Sequence, residues 1–202
     1  VELMAIDGAS ADLAEEIRAT LALDLPTTSF DLDLDALRET VAALAPVESV
    51  SLRIRPAGVL QLEVNERVPA LVWRSAEGLH LLDAEGHAVR RIAARTDRPD
   101  LPLIAGEGAN AHVAEARALL SAARPIAPRV RGLVRVGERR WDLVLDRGQR
   151  IMLPAERPRR ALDRVIAMDG AQDLLARDVT AVDMRLAGRP TLRLAPAAME
   201  EM

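Results

Sequence analysis

One glycine-rich stretch has the residue types and spacing of a cofactor-binding loop. Residues 106–111 match the dinucleotide-binding pattern, follow a short strand-like run and precede a helical pattern. However, Glu107 would repel a pyrophosphate, and Val130 and Arg131 stand about 20 residues on, where an acid should bind the ribose. We therefore predict a glycine-rich connector here, and a small-molecule enzyme that uses this loop is the alternative.

The aspartates of residues 31–35 have the alternation of a calcium-binding loop. Ala36 and Ala42, however, occupy the positions at which such a loop needs its turn glycine and its bidentate glutamate. Asp31 or Asp33 is also well placed to accept hydrogen bonds from the first turn of a following helix. We predict helix capping here and no metal site.

Catalytic side chains are otherwise missing from recognisable arrangements. The chain has no cysteine, and its only histidines are His80, His87 and His112. The first two lie on either side of a predicted hairpin turn, but a metal site there would need a third ligand, which the sequence does not place. No Gly-x-Ser-x-Gly elbow occurs, and the acidic residues are too dispersed to nominate a catalytic pair. The sequence therefore predicts a protein that is not an enzyme and binds no cofactor.

Charge is distributed unevenly along the 202 residues. Residues 1–50 contain 11 acids and 2 arginines, a net charge of −9, whereas residues 124–160 contain 11 arginines and 4 acids, a net charge of +7. This asymmetry indicates surfaces with opposite preferences for charged partners, or simply solvated faces. Nucleic-acid binding is not expected, since the net charge is −4 and Trp73, Trp141 and Phe30 are the only large aromatic residues.

The first third of the chain predicts a β-α-α-β-β unit. A strand-like run at residues 1–6 precedes two helical patterns, and two alternating strands follow around a turn at residues 56–58. Gln61 and Glu63 should point outward, and Glu63 could pair with Arg53. The predicted apolar positions of the helices and strands are Leu13, Ile17, Leu21, Leu34, Leu37, Val41, Leu44, Val50, Leu52, Ile54, Leu60, Leu62 and Val64.

The remainder predicts a second domain dominated by hairpins. We expect a hairpin around residues 83–86, a short strand at 103–105, a helix that ends before Pro125 and a three-stranded meander over 130–153. A helix should begin at Pro158 and end before Gly170. Residues 179–186 and 191–194 should then form a terminal hairpin around residues 187–189.

Several short motifs occur in an order that resembles the FtsQ/DivIB family. The sequence Arg-Pro at residues 55–56 precedes Leu-x-Leu-x-Val at 60–64 and Glu-Arg-Val-Pro-Ala-Leu-Val-Trp at 66–73. Leu-Asp-x-x-Gly at 82–86, Leu-Pro-Leu-Ile-x-Gly at 101–106 and Val-Asp-Met-Arg at 182–185 follow. The ordered set covers nearly the whole chain, although no single motif is specific to the family.

The resemblance implies an α+β protein with two domains. These are an N-terminal POTRA domain (β-α-α-β-β) at residues 1–73 and a mostly antiparallel β domain with flanking helices at 74–194, before a frayed tail at 195–202. Because the chain begins without methionine in a strand-like run, we expect it to be the soluble part of something longer. The resemblance implies that this is the periplasmic part of a single-pass inner-membrane protein at the division site. A transmembrane helix would precede Val1.

The resemblance further implies a scaffold that recruits FtsB- and FtsL-type division proteins, with other divisome proteins binding the POTRA domain. In this family the last strands of the β domain receive the partner, and a C-terminal edge strand suits strand addition. The alternative is another envelope POTRA protein that captures outer-membrane protein segments through the first sheet. The predicted partner-binding residues are Leu186, Gly188, Arg189, Thr191, Leu192, Arg193 and Leu194.

Several of these predicted partner-binding residues also have another interpretation. Leu186 and Leu194 stand where the family can have partner-contacting aromatic residues, so a stacked aromatic anchor is missing here. Leu192 and Leu194 should share one apolar face, which could instead simply fill the core. Arg189 and Arg193 could guide an acidic partner segment or discourage edge-to-edge aggregation.

Overall fold

The computed structural model describes residues 1–28, 30, 32–186 and 189–195. The chain divides into an N-terminal unit, which contains Val1–Pro69 and His87–Arg90, and a C-terminal unit, which contains Ala70–Gly86 and the residues from Arg91 onward. The division therefore falls between Pro69 and Ala70, whereas the sequence placed it after residue 73. The reason is that residues 71–75 form a strand of the C-terminal sheet.

The N-terminal unit has the predicted β-α-α-β-β order. β3 is the central strand of its three-stranded sheet, parallel to β1 and antiparallel to β2. The elements are β1 (Leu3–Asp7), α1 (Ala11–Leu21), α2 (Leu34–Ala42), β2 (Val47–Arg55) and β3 (Val59–Glu66).

The apolar periodicity of this unit predicts its core correctly. Leu13, Ile17 and Leu21 are buried on one face of α1. The β2–β3 register places Leu52 opposite Leu62 and aligns the other predicted apolar pairs. These residues form one buried cluster, whose burial drives the packing of both helices on the sheet.

Asp33 caps α2 as predicted, because its Oδ1 accepts hydrogen bonds from the backbone N–H groups of Asp35 and Ala36 at 3.1 and 3.0 Å. The second capping candidate, Asp31, lies outside the described residues.

Gln61 points outward as predicted but is not exposed to solvent. It lies on the outer face of β3, but it is only 9% exposed because groups of both neighbouring strands cover it. Its Nε2 donates to Asp7 Oδ2 at 2.8 Å, and its Oε1 accepts from Arg53 Nε at 3.2 Å. Arg53 also forms the predicted ion pair with Glu63. The outer face of this sheet therefore carries a polar network across its three strands.

The C-terminal unit is built on a nine-stranded mixed sheet. The strands are β4 (Leu71–Ser75), β5 (Gly78–Leu82), β6 (Ala88–Ile92), β7 (Leu103–Ala105), β8 (Val130–Val136), β9 (Arg140–Leu145), β10 (Arg150–Met152), β11 (Val179–Asp183) and β12 (Thr191–Leu194). The strand order is β12-β11-β10-β9-β8-β7-β4-β5-β6, and the first three residues of the edge strand β6 group with the N-terminal unit. β7 is parallel to both β4 and β8, and β10 is parallel to β11.

Two helices, α3 (Val113–Ala122) and α4 (Pro158–Gln172), share a single buried core with this sheet. Leu119 of α3 and Leu162 of α4 are almost completely buried, as are Trp141 and Leu143 of β9. The predicted meander, the hairpin around 83–86 and the start of α4 at Pro158 agree with these bounds. None of the described helices has the length and apolar composition needed to cross a lipid bilayer.

Two features of this unit differ from the sequence-based expectations. Strand β4 was not predicted, because its residues follow Pro69 and alternate poorly. Gly170 lies inside α4 and does not terminate it. The helix ends instead at Gln172, where Asp173 adopts a left-handed conformation with φ of 49° and its N–H donates to Asp169 O at 2.8 Å.

A buried polar cluster fixes α3 against the sheet. Glu115 Oε2 of α3 accepts from Arg135 Nη1 at 2.8 Å and from the indole Nε1 of Trp141 at 2.9 Å. The Arg135 guanidinium also lies over the Trp141 ring, 5.1 Å from its centroid. Arg135 is only 7% exposed, and its Nη2 donates to Glu138 O at 2.9 Å, whereas its buried Nε has no hydrogen-bond partner among the described residues.

Gln149 positions the segment that leads into β11. This side chain is 4% exposed, and its Nε2 donates to Leu175 O at 3.0 Å and to Val179 O at 2.8 Å. Its Oε1 accepts from Arg129 Nη2 at 2.7 Å. Because β10 and β11 share only three residue pairs, these side-chain bonds contribute much of the attachment of β11.

Replacing Gln149 with Leu should lower the free energy of unfolding of the C-terminal unit by about 3 kcal/mol, because buried carbonyl groups lose their donor. Arg147→Ala is the matched control. Arg147 contacts the same segment through Ala176 O and Asp178, but its side chain is 46% exposed, so its loss should cost less than about 1 kcal/mol. Chemical denaturation measures both values, and equal losses would contradict the role assigned to Gln149.

Gly106 and Gly170 should respond oppositely to substitution by alanine. Gly106 has φ of +105°, and an added Cβ would lie 2.4 Å from Arg135 O, so Gly106→Ala should destabilise the fold by about 2 kcal/mol or more. Gly170 is a helical position with open space around it, so Gly170→Ala should stabilise by about 0.5–1 kcal/mol. Thermal denaturation of the two variants tests the opposite signs.

Candidate partner-binding edge

β12 is the edge strand of the nine-stranded sheet. It pairs antiparallel with β11, with Leu192 opposite Val182, Arg193 opposite Ala181 and Thr191 opposite Asp183. In the part of the chain that the structure describes, no strand lies on the other side of β12. The four residues Thr191–Leu194 therefore present one side of their backbone to a potential added strand.

Two hydrogen bonds show which backbone groups face outward. Ala195 N–H donates to Asp178 O at 2.8 Å, and Arg193 O accepts from Thr180 Oγ1 at 3.1 Å. Arg193 and Ala195 therefore direct their backbone groups toward β11. Because these groups alternate along a strand, the N–H and C=O of Leu192 and Leu194 point away from the sheet.

The side chains of β12 differ in exposure, and three of the four are exposed. Leu192 shares a face with the buried Val182, but it is 42% exposed because it lies at the edge of the core. Leu194 is partly buried and packs against the core, so it fills the core in part. Thr191 and Arg193 are exposed on the strand. Leu192 is thus the more accessible of the two apolar side chains.

The connection between β11 and β12 carries the other predicted residues. Leu186 is 67% exposed, and Arg189 is also exposed. Gly188 lies outside the described residues. The structure therefore brings Thr191, Leu192, Arg193 and Leu194 together on one strand and places Leu186 and Arg189 on the segment that precedes it.

Asp183 and Arg185 form a bidentate pair at the end of β11. Arg185 Nε donates to Asp183 Oδ1 at 2.9 Å, and Arg185 Nη2 donates to Oδ2 at 2.6 Å. This hydrogen bonding lowers the pKa of Asp183 and raises that of Arg185. The stabilisation by the pair is present above the ordinary aspartate pKa and is lost as the pH falls through the depressed value. The pair belongs to the Val-Asp-Met-Arg motif at residues 182–185.

Asp142 of β9 provides a contrasting carboxylate on the same face of the sheet. Its side chain is almost completely buried, and this burial raises its pKa although Arg140 and Arg150 lie 3.6 and 3.7 Å from its oxygens. Its Oδ1 has no hydrogen-bond partner. Its ionisation therefore disfavours the fold as the pH rises through the interval between the ordinary and the raised pKa.

The glycine-rich loop at residues 106–111 has a packing role in the structure. Gly106 O accepts a hydrogen bond from the indole Nε1 of Trp73 at 3.0 Å. A short 3-10 helix, Ala109–His112, separates the glycines from α3, so the loop does not lead directly into the N-terminus of a long helix. This geometry lacks the helix terminus that would bind a pyrophosphate.

The histidines and acids are not gathered into a metal site. Among the described residues, no group of three or more histidine, aspartate or glutamate side chains is placed to hold a metal ion. His80 instead packs against Trp73, with their ring centroids 5.5 Å apart.

Sequence reasoning missed the side chains that set the position of this edge. Gln149 is a single polar residue between a predicted turn at 146–148 and a strand predicted from residue 150, and nothing in its local pattern distinguishes it from a solvated glutamine. The β-bulge between Val179 and Ala181 was also not predicted, although it determines which residues of β11 face β12.

Comparison with known families covers both units. Residues 71–185 match the family described as cell division protein FtsQ/DivIB, C-terminal. Residues 2–67 match the FtsQ-type POTRA domain. The first match ends at Arg185, before β12.

Proteins called cell division protein FtsQ are similar to nearly the whole chain. The identity is 57% over 198 residues for the protein of Roseobacter litoralis, 55% over 199 residues for that of Cereibacter sphaeroides and 53% over 194 residues for that of Paracoccus denitrificans. These alignments cover 98%, 98% and 96% of this chain, but 68%, 65% and 57% of the relatives. The chain therefore spans roughly two thirds of the length of these curated relatives.

The two adjacent family matches follow the division of the structure at Pro69–Ala70, and the identities extend over both units. This chain belongs to the FtsQ/DivIB family of cell-division proteins.

Proposed function

We propose that this chain is the extracytoplasmic part of a non-enzymatic cell-division scaffold that binds FtsB- and FtsL-type partners. Family membership supports the role in division, since the relatives are named as cell-division proteins. In this proposal a single inner-membrane helix precedes Val1, the two units lie in the periplasm at the division site, and the POTRA unit binds further divisome proteins.

The partner binds by adding a strand to β12. The observation that carries this proposal is the outward direction of the backbone groups of Leu192 and Leu194 at the sheet edge. In strand addition, main-chain hydrogen bonds supply affinity, and alternate side chains supply specificity. A short edge strand such as β12 offers few backbone groups, so neighbouring side chains must contribute to recognition.

Exposed side chains around β12 suit that contribution. Leu186 and Leu192 are 67% and 42% exposed and can bury apolar surface against a partner. Thr191, Arg189 and Arg193 surround them with polar groups, as at the rim of a typical interface. The partner would use leucine contacts here in place of the aromatic contacts that the family resemblance implies.

The alternative function is the capture of outer-membrane protein segments by an envelope POTRA protein. Its binding site would be β1 or β2, the two edges of the N-terminal sheet. The FtsQ type of the POTRA match and the second unit that follows it favour the division scaffold.

Leu192→Pro should abolish strand addition, whereas Leu192→Ala should weaken it only moderately. Both variants lose the leucine side chain, but only proline also removes the outward N–H. We expect about a 30-fold or larger increase in Kd for proline and about fivefold for alanine, measured by calorimetry with the periplasmic segment of the FtsB-type partner.

Thermal denaturation provides the control, because an edge strand tolerates proline where no ladder bond is lost. Both variants should keep the melting temperature of the parent protein within a few degrees. A folded Leu192→Pro variant with undiminished affinity would rule out strand addition at β12.

A further inference from the structure

A basic groove lies beside the connection from β11 to β12. It has a volume of about 650 Å³ and runs between the segment after β10, the first turns of α4 and the residues that follow β11. Its charged lining consists of four arginines and one glutamate: Arg157, Arg160, Arg164, Arg185 and Glu156. The sum of these charges is 4 − 1 = +3.

Three of these arginines form no ion pair within the part of the chain that the structure describes. Arg157, Arg160 and Arg164 are exposed and form no ion pair with any carboxylate of the described residues. Arg185 differs, because Asp183 binds its guanidinium in a bidentate pair. The groove therefore offers three guanidinium groups that are available to an anionic ligand.

The start of α4 strengthens this positive potential. No side chain caps the helix N-terminus, and Arg157 precedes Pro158 in a left-handed conformation with φ of 51°. A helix N-terminus carries a partial positive charge and ordinarily has acidic residues near it, whereas here Arg159 and Arg160 occupy the first turn. The local charge thus opposes helix stability and favours the binding of anions.

The groove lies at the end of β11 from which the connection to β12 starts. Met184 and Leu186 form part of its wall, and Leu186 lies on the segment that connects β11 with β12. A chain that pairs with β12 would therefore pass close to the groove at one end of its added strand. The leucine gives the groove an apolar border, which suits a peptide better than an isolated inorganic ion.

We propose that this groove binds acidic residues adjoining the partner strand that pairs with β12. The inference rests on the proposed function and adds the chemistry of a second contact. Carboxylates of the partner bind Arg157, Arg160 and Arg164, while the backbone of β12 binds the strand. The two contacts belong to one segment, so the first also sets the direction of that segment along the edge.

The test compares two double variants with the same change in net charge. Arg160→Gln with Arg164→Gln alters the groove, whereas Arg124→Gln with Arg139→Gln alters exposed arginines that do not line it. The ligand is the periplasmic segment of the FtsB-type partner, and its Kd is measured at about 50 mM and 300 mM salt. Melting temperatures confirm that all variants are folded.

We expect the groove variant to raise Kd about tenfold at low salt and to reduce the salt dependence of binding. The control variant should change Kd less than about twofold. Equal effects of the two variants would overturn the proposal, because they would indicate a long-range effect of net charge. An unchanged Kd in the groove variant would overturn it as well.

Leu192→Pro separates this inference from the proposed function. If the proline variant binds poorly and the groove variant binds normally, strand addition stands and the groove contact is wrong. If the groove variant loses affinity and the proline variant does not, strand addition is wrong, and the inference fails with it as stated.

Vesicles of phosphatidylglycerol and phosphatidylcholine test whether the groove arginines bind anionic lipid headgroups and not the partner. Loss of vesicle binding in the groove variant, with partner affinity retained, would assign the arginines to lipid headgroups and overturn the proposal.

Discussion

The attachment of β11 to the sheet is the constraint on which the candidate site depends. β11 shares three residue pairs with β10, and it reaches that position through a segment that the Gln149 amide binds at Leu175 O and Val179 O. A shift of one residue in β11 would exchange its core-facing and outward-facing side chains. The same shift would reorient β12, since β12 takes its register from β11. One buried glutamine thus contributes to the chemistry of an edge that it does not touch.

Local patterns were sufficient to predict the N-terminal unit. Leu13, Ile17 and Leu21 recur at helical spacing, and the alternation on either side of residues 56–58 predicts which side chains of β2 and β3 face the core. Both signals arise from neighbours in sequence. The burial of Gln61 was not predictable in this way, because it depends on Asp7, which is 54 residues distant.

The C-terminal sheet required information that a local pattern does not contain. Its hairpins were recognisable from turn residues, but β4 and the parallel pairings of β7 arise from contacts between distant segments. The prediction that α4 ends before Gly170 was wrong for a physical reason. Glycine inside a helix costs about 1 kcal/mol relative to alanine, but the burial of Leu162 and Val165 stabilises α4 enough to outweigh that cost. The family resemblance indicated the terminal edge, whereas the outward groups of Leu192 and the basic groove became visible only in three dimensions. The excess of arginine over residues 124–160 indicated a charged surface, but it did not indicate where in the fold that surface lies.

The brevity of β12 has a consequence for the motions of the molecule. A four-residue strand held by one neighbour is among the elements that open locally at low free energy, while the core around Trp141 remains folded. We therefore expect the exposed edge to open and close in equilibrium. A partner strand would give β12 a second neighbour and convert it into an interior strand, which shifts this equilibrium toward the closed form. Partner binding and the ordering of β12 would then be one coupled process, in which part of the interaction free energy suppresses local unfolding of this strand.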